Sequence, residues 1–265
     1  MNKFLSCCLL LVALCATARV SVAQQFRIQT TVYADDRATP VSDNLTLFDE
    51  TKVYDFMLVA NEPTKVTEIA IYDSQRRVFT LLDTTRHLRL ELRQADLEQM
   101  MRNLTASESF QGELRFLVQP EFTQTFDPAG PTLELRSEHL QYTVRGTECK
   151  NESELKSFFA FIDAYTLLNA TDPRKLPPFA RMRLNQVLRE RRMIPTQVEM
   201  LLEIPAAEGT GHTRMQASST HQMTSSLTAA DRERIGQADR FVKEYTATTL
   251  GVFRRLNSTQ TARRQ

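Results

Sequence analysis

The chain has 265 residues, of which 33 are Lys or Arg and 32 are Asp or Glu, so its formal net charge is +1. This balance argues against a dedicated binder of nucleic acid or anionic membranes, because such proteins usually carry a lopsided charge. The hydrophobic content of 42% is that of an ordinary globular protein, and the length allows one large domain or two small ones.

Residues 1–23 predict a signal peptide. Lys3 supplies the positive charge, residues 4–16 form an apolar core, and residues 21–23 give a small-x-small cleavage site before Gln24. The core is shorter than the roughly 20 apolar residues of a spanning helix, so an uncleaved anchor is the weaker alternative. We therefore expect a periplasmic or secreted protein without a stable transmembrane anchor after cleavage. Cys149 is then the only cysteine of the mature chain, which excludes an internal disulfide.

The first half of the mature chain predicts antiparallel strands. Residues 25–33 alternate apolar and polar side chains with the period of a half-buried strand. Residues 45–48 and 52–58 flank a polar turn and predict a hairpin. Residues 66–92 contain three alternating runs separated by turns that begin at Asp73 and Asp83, which predicts an antiparallel meander.

Helices and strands then alternate along the chain. The helical period predicts a helix over residues 95–104 and a shorter helical piece over 110–118. Strand patterns follow at 122–126, 132–135 and 139–144. Asn151 is the predicted cap of a helix that runs to about residue 169, with one apolar stripe made by Leu155, Phe158, Phe159, Ile162 and Tyr165.

The last third of the chain has fewer apolar segments. A helix is expected over residues 179–190 and a strand over 197–204. Residues 209–223 are polar, which favours a loop or an exposed edge strand. Thr228 and Asp231 form a capping pattern that opens another helix, ending at about residue 247. Residues 251–265 predict a flexible basic tail.

Together these elements predict a single α+β domain over residues 24–250. Its sheet is expected to be curved, mostly antiparallel and open like a half-barrel, with several helices covering it.

No catalytic motif is recognisable, and the sequence predicts neither a cofactor nor a metal. The seven glycines form no phosphate-binding loop, and the four histidines lie apart from one another. Asp83 with His87, and Glu138 with His139, are the best remaining polar pairs. Turn capping explains Asp83 equally well, and a solvated strand face is the preferred explanation of the second pair. We therefore expect a protein that is not an enzyme.

Two resemblances add to this interpretation. Three segments resemble a group of uncharacterised exported proteins from planctomycete-type bacteria: FRIQTTVYADDRATPVSDNLTLFDETKVYDF, IAIYDSQRRVFTLLDTTRHLRLEL and LTAADRERIGQAD. The order of strands and helices is similar to the half-barrel of the lipoprotein carriers of outer-membrane sorting, as is the style of IAIYDSQRRVFTLLD. That resemblance implies an apolar concave face that holds acyl chains.

Three functions remain open at this stage. The leading hypothesis is a non-catalytic protein that binds an apolar, acyl-type ligand or an envelope partner in the concave face of its sheet. The residues predicted to line that site are Phe56, Ile69, Ile71, Phe79, Leu81, Phe158, Phe159 and Ile162. The second is a structural subunit of a cell-envelope assembly without ligand. The third is a hydrolase that uses His87 or His139.

Overall fold

The computed structural model of the chain describes residues 25–35, 38–110, 112–172, 175–205 and 212–255. The predicted signal peptide and residues 256–265 of the predicted tail lie outside these ranges.

Within the described residues, twelve strands form one open sheet. The strands are β1 (Gln25–Ala34), β2 (Ser42–Asp49), β3 (Lys52–Val59), β4 (Glu62–Asp73), β5 (Val78–Asp83), β6 (Leu88–Arg93), β7 (Thr123–Asp127), β8 (Thr132–Arg136), β9 (Leu140–Glu148), β10 (Met193–Pro205), β11 (His212–Thr224) and β12 (Thr246–Ala247). Their order across the sheet is β12-β6-β5-β4-β3-β2-β1-β11-β10-β9-β8-β7, and only β12 pairs in parallel, with β6. The predicted α+β class with a mostly antiparallel sheet is confirmed.

Helices cover both faces of this sheet. They are α1 (Gln94–Thr105), α2 (Glu152–Leu167), α3 (Phe179–Glu190), α4 (Ala229–Glu244) and α5 (Leu250–Arg255). Helices α1, α2 and α3 pack on one face, which we call the cavity face, and α4 packs on the other, the α4 face. The helical piece predicted over 110–118 is instead a pair of short 3-10 segments, at Glu108–Phe110 and Gly112–Leu117.

Both faces of the sheet are buried, so the alternation of side chains along a strand has a different meaning here from that in a half-exposed strand. In an antiparallel pair, residues directly opposite each other point to the same face. Phe79 lies opposite Tyr72, and both belong to the core on the cavity face. Ile69 lies opposite Leu82, and both belong to the core beneath α4. The alternation therefore separates two cores, rather than a core from a solvated surface.

The greatest departure from the sequence prediction is β11. Residues 209–223 were expected to form a loop or an edge strand, but β11 lies near the middle of the sheet, between β1 and β10. The prediction failed because the strand is poor in large apolar residues. Its side chains on the cavity face border an open space, so they do not fill a packed core.

Asp231 joins α4 to β1. Its carboxylate accepts hydrogen bonds from the Thr228 backbone nitrogen and hydroxyl, which completes the predicted cap. The same carboxylate is 3.1 Å from the Arg27 guanidinium. Since Asp231 is only 2% exposed, both interactions are shielded from water.

Asp231→Ala is expected to lower the free energy of unfolding by about 2 to 3 kcal/mol, because it removes a helix cap and leaves Arg27 without its partner. Chemical denaturation of both proteins measures the difference. Glu233→Ala in the same helix is the matched control, since Glu233 is exposed. A loss of stability as small as that of the control would show that Asp231 does not secure α4.

Helix α5 begins where the flexible tail was expected. Phe253 is fully buried in the core of the cavity face. Arg86 donates hydrogen bonds to the carbonyl oxygens of Val252 and Phe253. Residues 251–255 therefore belong to a packed helix, and only the remainder of the predicted tail lies outside the described residues.

Candidate functional site

A cavity of about 420 Å³ lies between α2 and the middle of the sheet. Its floor is formed by β3, β2, β1, β11, β10 and β9, which are consecutive strands. At a spacing of about 4.8 Å between strands, these six strands extend roughly 24 Å across the sheet. The cavity is therefore elongated across the strands.

The roof of the cavity comes from α2. Asn151 caps this helix, as predicted, by accepting hydrogen bonds from the backbone of Ser153 and Glu154. Four side chains spaced i, i+3, i+4 and i+7 then face the sheet: Phe158, Phe161, Ile162 and Tyr165. The Phe161 ring lies edge-on to Phe48 of the floor, with 5.7 Å between the ring centroids. Ring contacts of this kind hold the roof in place over the sheet.

The floor combines apolar side chains with a polar strip. Ile28, Val32, Met57, Val198 and Met200 give it apolar character. The polar strip runs across adjacent strands, because Asn44 of β2 pairs with Thr30 of β1, and Thr30 pairs with His221 of β11. A largely apolar cavity with a few placed polar groups is typical of small-molecule sites.

Both ring nitrogens of His221 are engaged by hydroxyl groups. Nδ1 lies 2.9 Å from the Thr30 hydroxyl and Nε2 lies 2.9 Å from the Ser219 hydroxyl. Burial lowers the pKa of His221 from its ordinary value of 6.5 to about 4, and the positive charge of Arg181 acts in the same direction. The imidazole is therefore neutral at pH 7.

This lowered pKa predicts a loss of stability in mild acid. Below about pH 6.5 the unfolded chain protonates His221, whereas the folded chain does not do so until about pH 4. The free energy of unfolding therefore decreases as the pH falls through this window, and at pH 5 it is about 2 kcal/mol lower than at neutral pH. In His221→Gln the difference in stability between pH 7 and pH 5, measured by urea unfolding, should shrink by this amount. An unchanged difference would contradict the burial of a neutral imidazole.

A buried carboxylate lies at the β3 end of the cavity. Asp55 accepts hydrogen bonds from the Thr46 hydroxyl at 2.7 Å and from the Asn44 amide at 3.1 Å. The Tyr165 hydroxyl of the roof also donates to it. Burial raises the pKa of Asp55 above its ordinary value, and these hydrogen bonds oppose the rise. Its oxygens are thus well supplied with donors.

A partly buried cation lies toward the opposite end. Arg181 of α3 lines the cavity, close enough for its charge to act on Tyr142 of β9 and on His221. Burial lowers the pKa of the Arg181 guanidinium. The cavity therefore has a cationic side chain toward one end and a carboxyl group at the other, with aromatic and aliphatic side chains between them.

The residues predicted to line a site are divided among three places. Phe158 and Ile162 line the cavity. Phe79, Leu81 and Phe159 lie in the packed core of the cavity face and do not line the cavity. Phe56, Ile69 and Ile71 lie on the α4 face, because their positions along β3 and β4 point away from α2.

The α4 face has a separate groove of about 740 Å³, which includes Phe56 and Ile69. Its walls also contain charged side chains at the surface, among them Lys65 and Arg234. The His87 ring borders it and packs on Tyr245, with 5.0 Å between the ring centroids. The lining of this groove is more polar than that of the α2 cavity, so we regard the α2 cavity as the candidate site.

The polar pairs weighed as catalytic candidates serve local structure. Asp83 accepts hydrogen bonds from the backbone of Thr85 and Arg86, as predicted for a turn residue. The Arg86 side chain also donates to the Asp83 carboxylate. His139 lies 3.9 Å from the exposed Glu138 carboxylate. Among the described residues, no group of three His, Cys, Asp or Glu side chains is placed to hold a metal ion.

Most residues of the cavity were not predicted, and three of them show why. Phe161 follows Phe158 by three residues, so a full helical count of the stripe would have included it. Asp55 is an acidic residue within the apolar run of β3, and this pattern in the sequence could have marked it as a candidate site residue. Arg181 gives no local signal, because only the packing of α3 against the sheet brings it to the cavity.

A scan against protein-family models finds no matching family, and a search of curated proteins finds no matching protein.

No helix among the described residues combines the length and apolarity that crossing a membrane requires.

Proposed function

We propose that this is an exported, non-catalytic binding protein that holds an apolar, acyl-type ligand in the cavity beneath α2. The observation that carries this proposal is the composition of β11. This central strand presents Ala217, Ser219 and His221 to the cavity, where a packed sheet would present large apolar side chains. These side chains are too small to fill the space between β11 and α2, so a cavity remains at the middle of the fold.

The cavity has the size and character of a ligand site. Protein interiors are normally packed as densely as organic crystals, so a large unfilled space forfeits packing energy. Small-molecule sites occupy about 300 to 1,000 Å³, and this cavity falls within that range. Its aromatic roof and apolar floor suit a hydrocarbon chain, and its elongation across six strands suits an extended one.

The alternative function, a structural subunit of an envelope assembly, predicts a solid core together with an exposed apolar patch or an unpaired sheet edge. The open sheet does end in an edge strand, β7. The large hydrophobic side chains exposed in the described residues are Val41, Met215 and Val252. They lie on a loop, on β11 and on α5, and isolated exposed hydrophobics are ordinary. The cavity therefore favours the ligand-binding proposal over the structural one.

A titration with the neutral apolar fluorophore N-phenyl-1-naphthylamine tests the proposal. We expect a saturable rise in fluorescence with one probe bound per chain, reversed by a long-chain alcohol that competes for the same space. A linear, unsaturable response that the alcohol does not reverse would contradict the proposal, since it would indicate only weak surface adsorption.

A further inference from the structure

Arg181 is a partly buried arginine that lines the cavity, and its surroundings differ from those of two other partly buried arginines. Arg27 is paired with Asp231, and Arg254 lies 3.8 Å from Glu68. Arg181 forms no ion pair with any residue in the part of the chain that the structure describes. A guanidinium has five N–H donors and cannot lose its charge in practice, so an unpaired one in a cavity calls for an acceptor.

The carboxyl groups that could pair with Arg181 already have other partners. Asp163 acts electrostatically on Arg181, but its carboxylate is bound by Arg189 and by the Asn185 amide. Asp55 lies on β3, five strands away from the Tyr142 strand, and holds its own three donors. Neither carboxylate therefore neutralises Arg181.

The groups beside Arg181 supply hydrogen bonds without supplying negative charge. Tyr142 is buried, which raises the pKa of its hydroxyl, so it remains a neutral donor. Ser219 and the neutral His221 line the same part of the cavity. An anion placed here would meet one positive charge and several polar groups.

We propose that Arg181 binds the anionic head group of the ligand, and that the ligand is a long-chain carboxylic acid. This inference rests on the proposed function. A guanidinium and a carboxylate match in geometry through two parallel hydrogen bonds. One arginine balances the single charge of a carboxylate, whereas a phosphate monoester carries nearly two charges at pH 7.

The same arrangement fixes the orientation of the ligand. Arg181, toward the β9 end, attracts an anion, whereas Asp55, at the β3 end, offers no positive charge. The carboxylate therefore lies beside Arg181 and Tyr142, and the hydrocarbon chain runs beneath Phe158 and Phe161 toward β3.

Competition with the neutral fluorophore tests this inference by comparing palmitic acid with 1-hexadecanol, which has the same chain and no charge. We expect the wild-type protein to bind the acid about 10- to 100-fold more tightly than the alcohol, the range of one charge-assisted contact. Arg181→Gln should remove this preference, so that the variant binds the acid and the alcohol with equal affinity. Arg183→Gln, an exposed position of the same helix, is the matched control and should retain the preference.

The outcomes separate this inference from the proposed function. Equal affinity of the wild-type protein for acid and alcohol would overturn the role of Arg181 while leaving a ligand cavity in place. Failure of both compounds to displace the probe would remove the proposed function and this inference together.

Thermal unfolding gives a second readout that does not depend on ligand. Because Arg181 is desolvated without a partner, Arg181→Gln should raise the melting temperature of the ligand-free protein. A large fall in melting temperature would instead show that Arg181 supports the fold, which would contradict a head-group role.

Discussion

Ala217→Phe is expected to weaken binding of the neutral fluorophore by at least about 100-fold, because the added ring occupies the cavity between β11 and the α2 roof. Ala217 points into the cavity and pairs with Met200 of the floor. The space available there allows the ring to be accommodated without displacing packed atoms, so the variant should fold with close to wild-type stability.

Thr220→Phe is the matched control for this substitution. Thr220 lies on the same strand, is exposed and points to the opposite face of the sheet. The control should bind the probe as the wild-type protein does. Unimpaired binding by Ala217→Phe, with the protein folded, would show that the probe binds elsewhere.

Phe79→Ala is expected to lower the free energy of unfolding by about 3 to 5 kcal/mol, the usual cost of removing a buried phenyl ring. Phe79 is fully buried, 4.7 Å from the Tyr72 ring and 6.4 Å from the Tyr165 ring between centroids. Because Phe79 does not line the cavity, the affinity for the probe should stay within about twofold of wild type under conditions where the variant is folded.

Phe158→Ala provides the comparison, since Phe158 is also buried but forms part of the roof. It should lower both the unfolding free energy and the affinity for the probe. Chemical denaturation gives the free energy of unfolding of each variant, and probe titration gives the affinity of each for the probe. Equal losses of affinity in both variants would indicate that the cavity and the β5 core are not separate.

The features predicted correctly from the sequence depend on local chemistry. The turns at Asp73 and Asp83 and the caps at Asn151 and Thr228 follow from side chains that bond nearby backbone groups. The start of α3 follows from Pro178, which directly precedes the helix. Such signals lie within a few residues of their effect. They do not depend on what packs above or below the element.

The face on which each strand residue lies depends on distant elements, and it was predicted less well. The prediction grouped Ile69 and Ile71 with Phe79 and Leu81 as lining residues. The register of β4 with β5 places the two pairs on opposite faces. Because α4 buries the second face, apolar side chains occur on both sides of these strands, and composition alone does not distinguish them.

The site itself is where a prediction based on apolar patterns fails. Strand β11 is recognised poorly because Ala217, Ser219 and His221 face a cavity and not a packed core. Local rules are expected to be broken at functional sites, since a binding site requires groups that a packed core would exclude. The weak apolar pattern of β11 thus accompanies the cavity that the strand lines.

Native mass spectrometry of residues 24–265, purified without detergent, tests the central claim most directly. We predict a mass above that of the polypeptide, an excess that disappears on denaturation and is recovered in organic solvent as a long-chain acid. A mass equal to that of the polypeptide alone, with nothing recovered in the solvent, would contradict the claim that the cavity beneath α2 holds an apolar ligand.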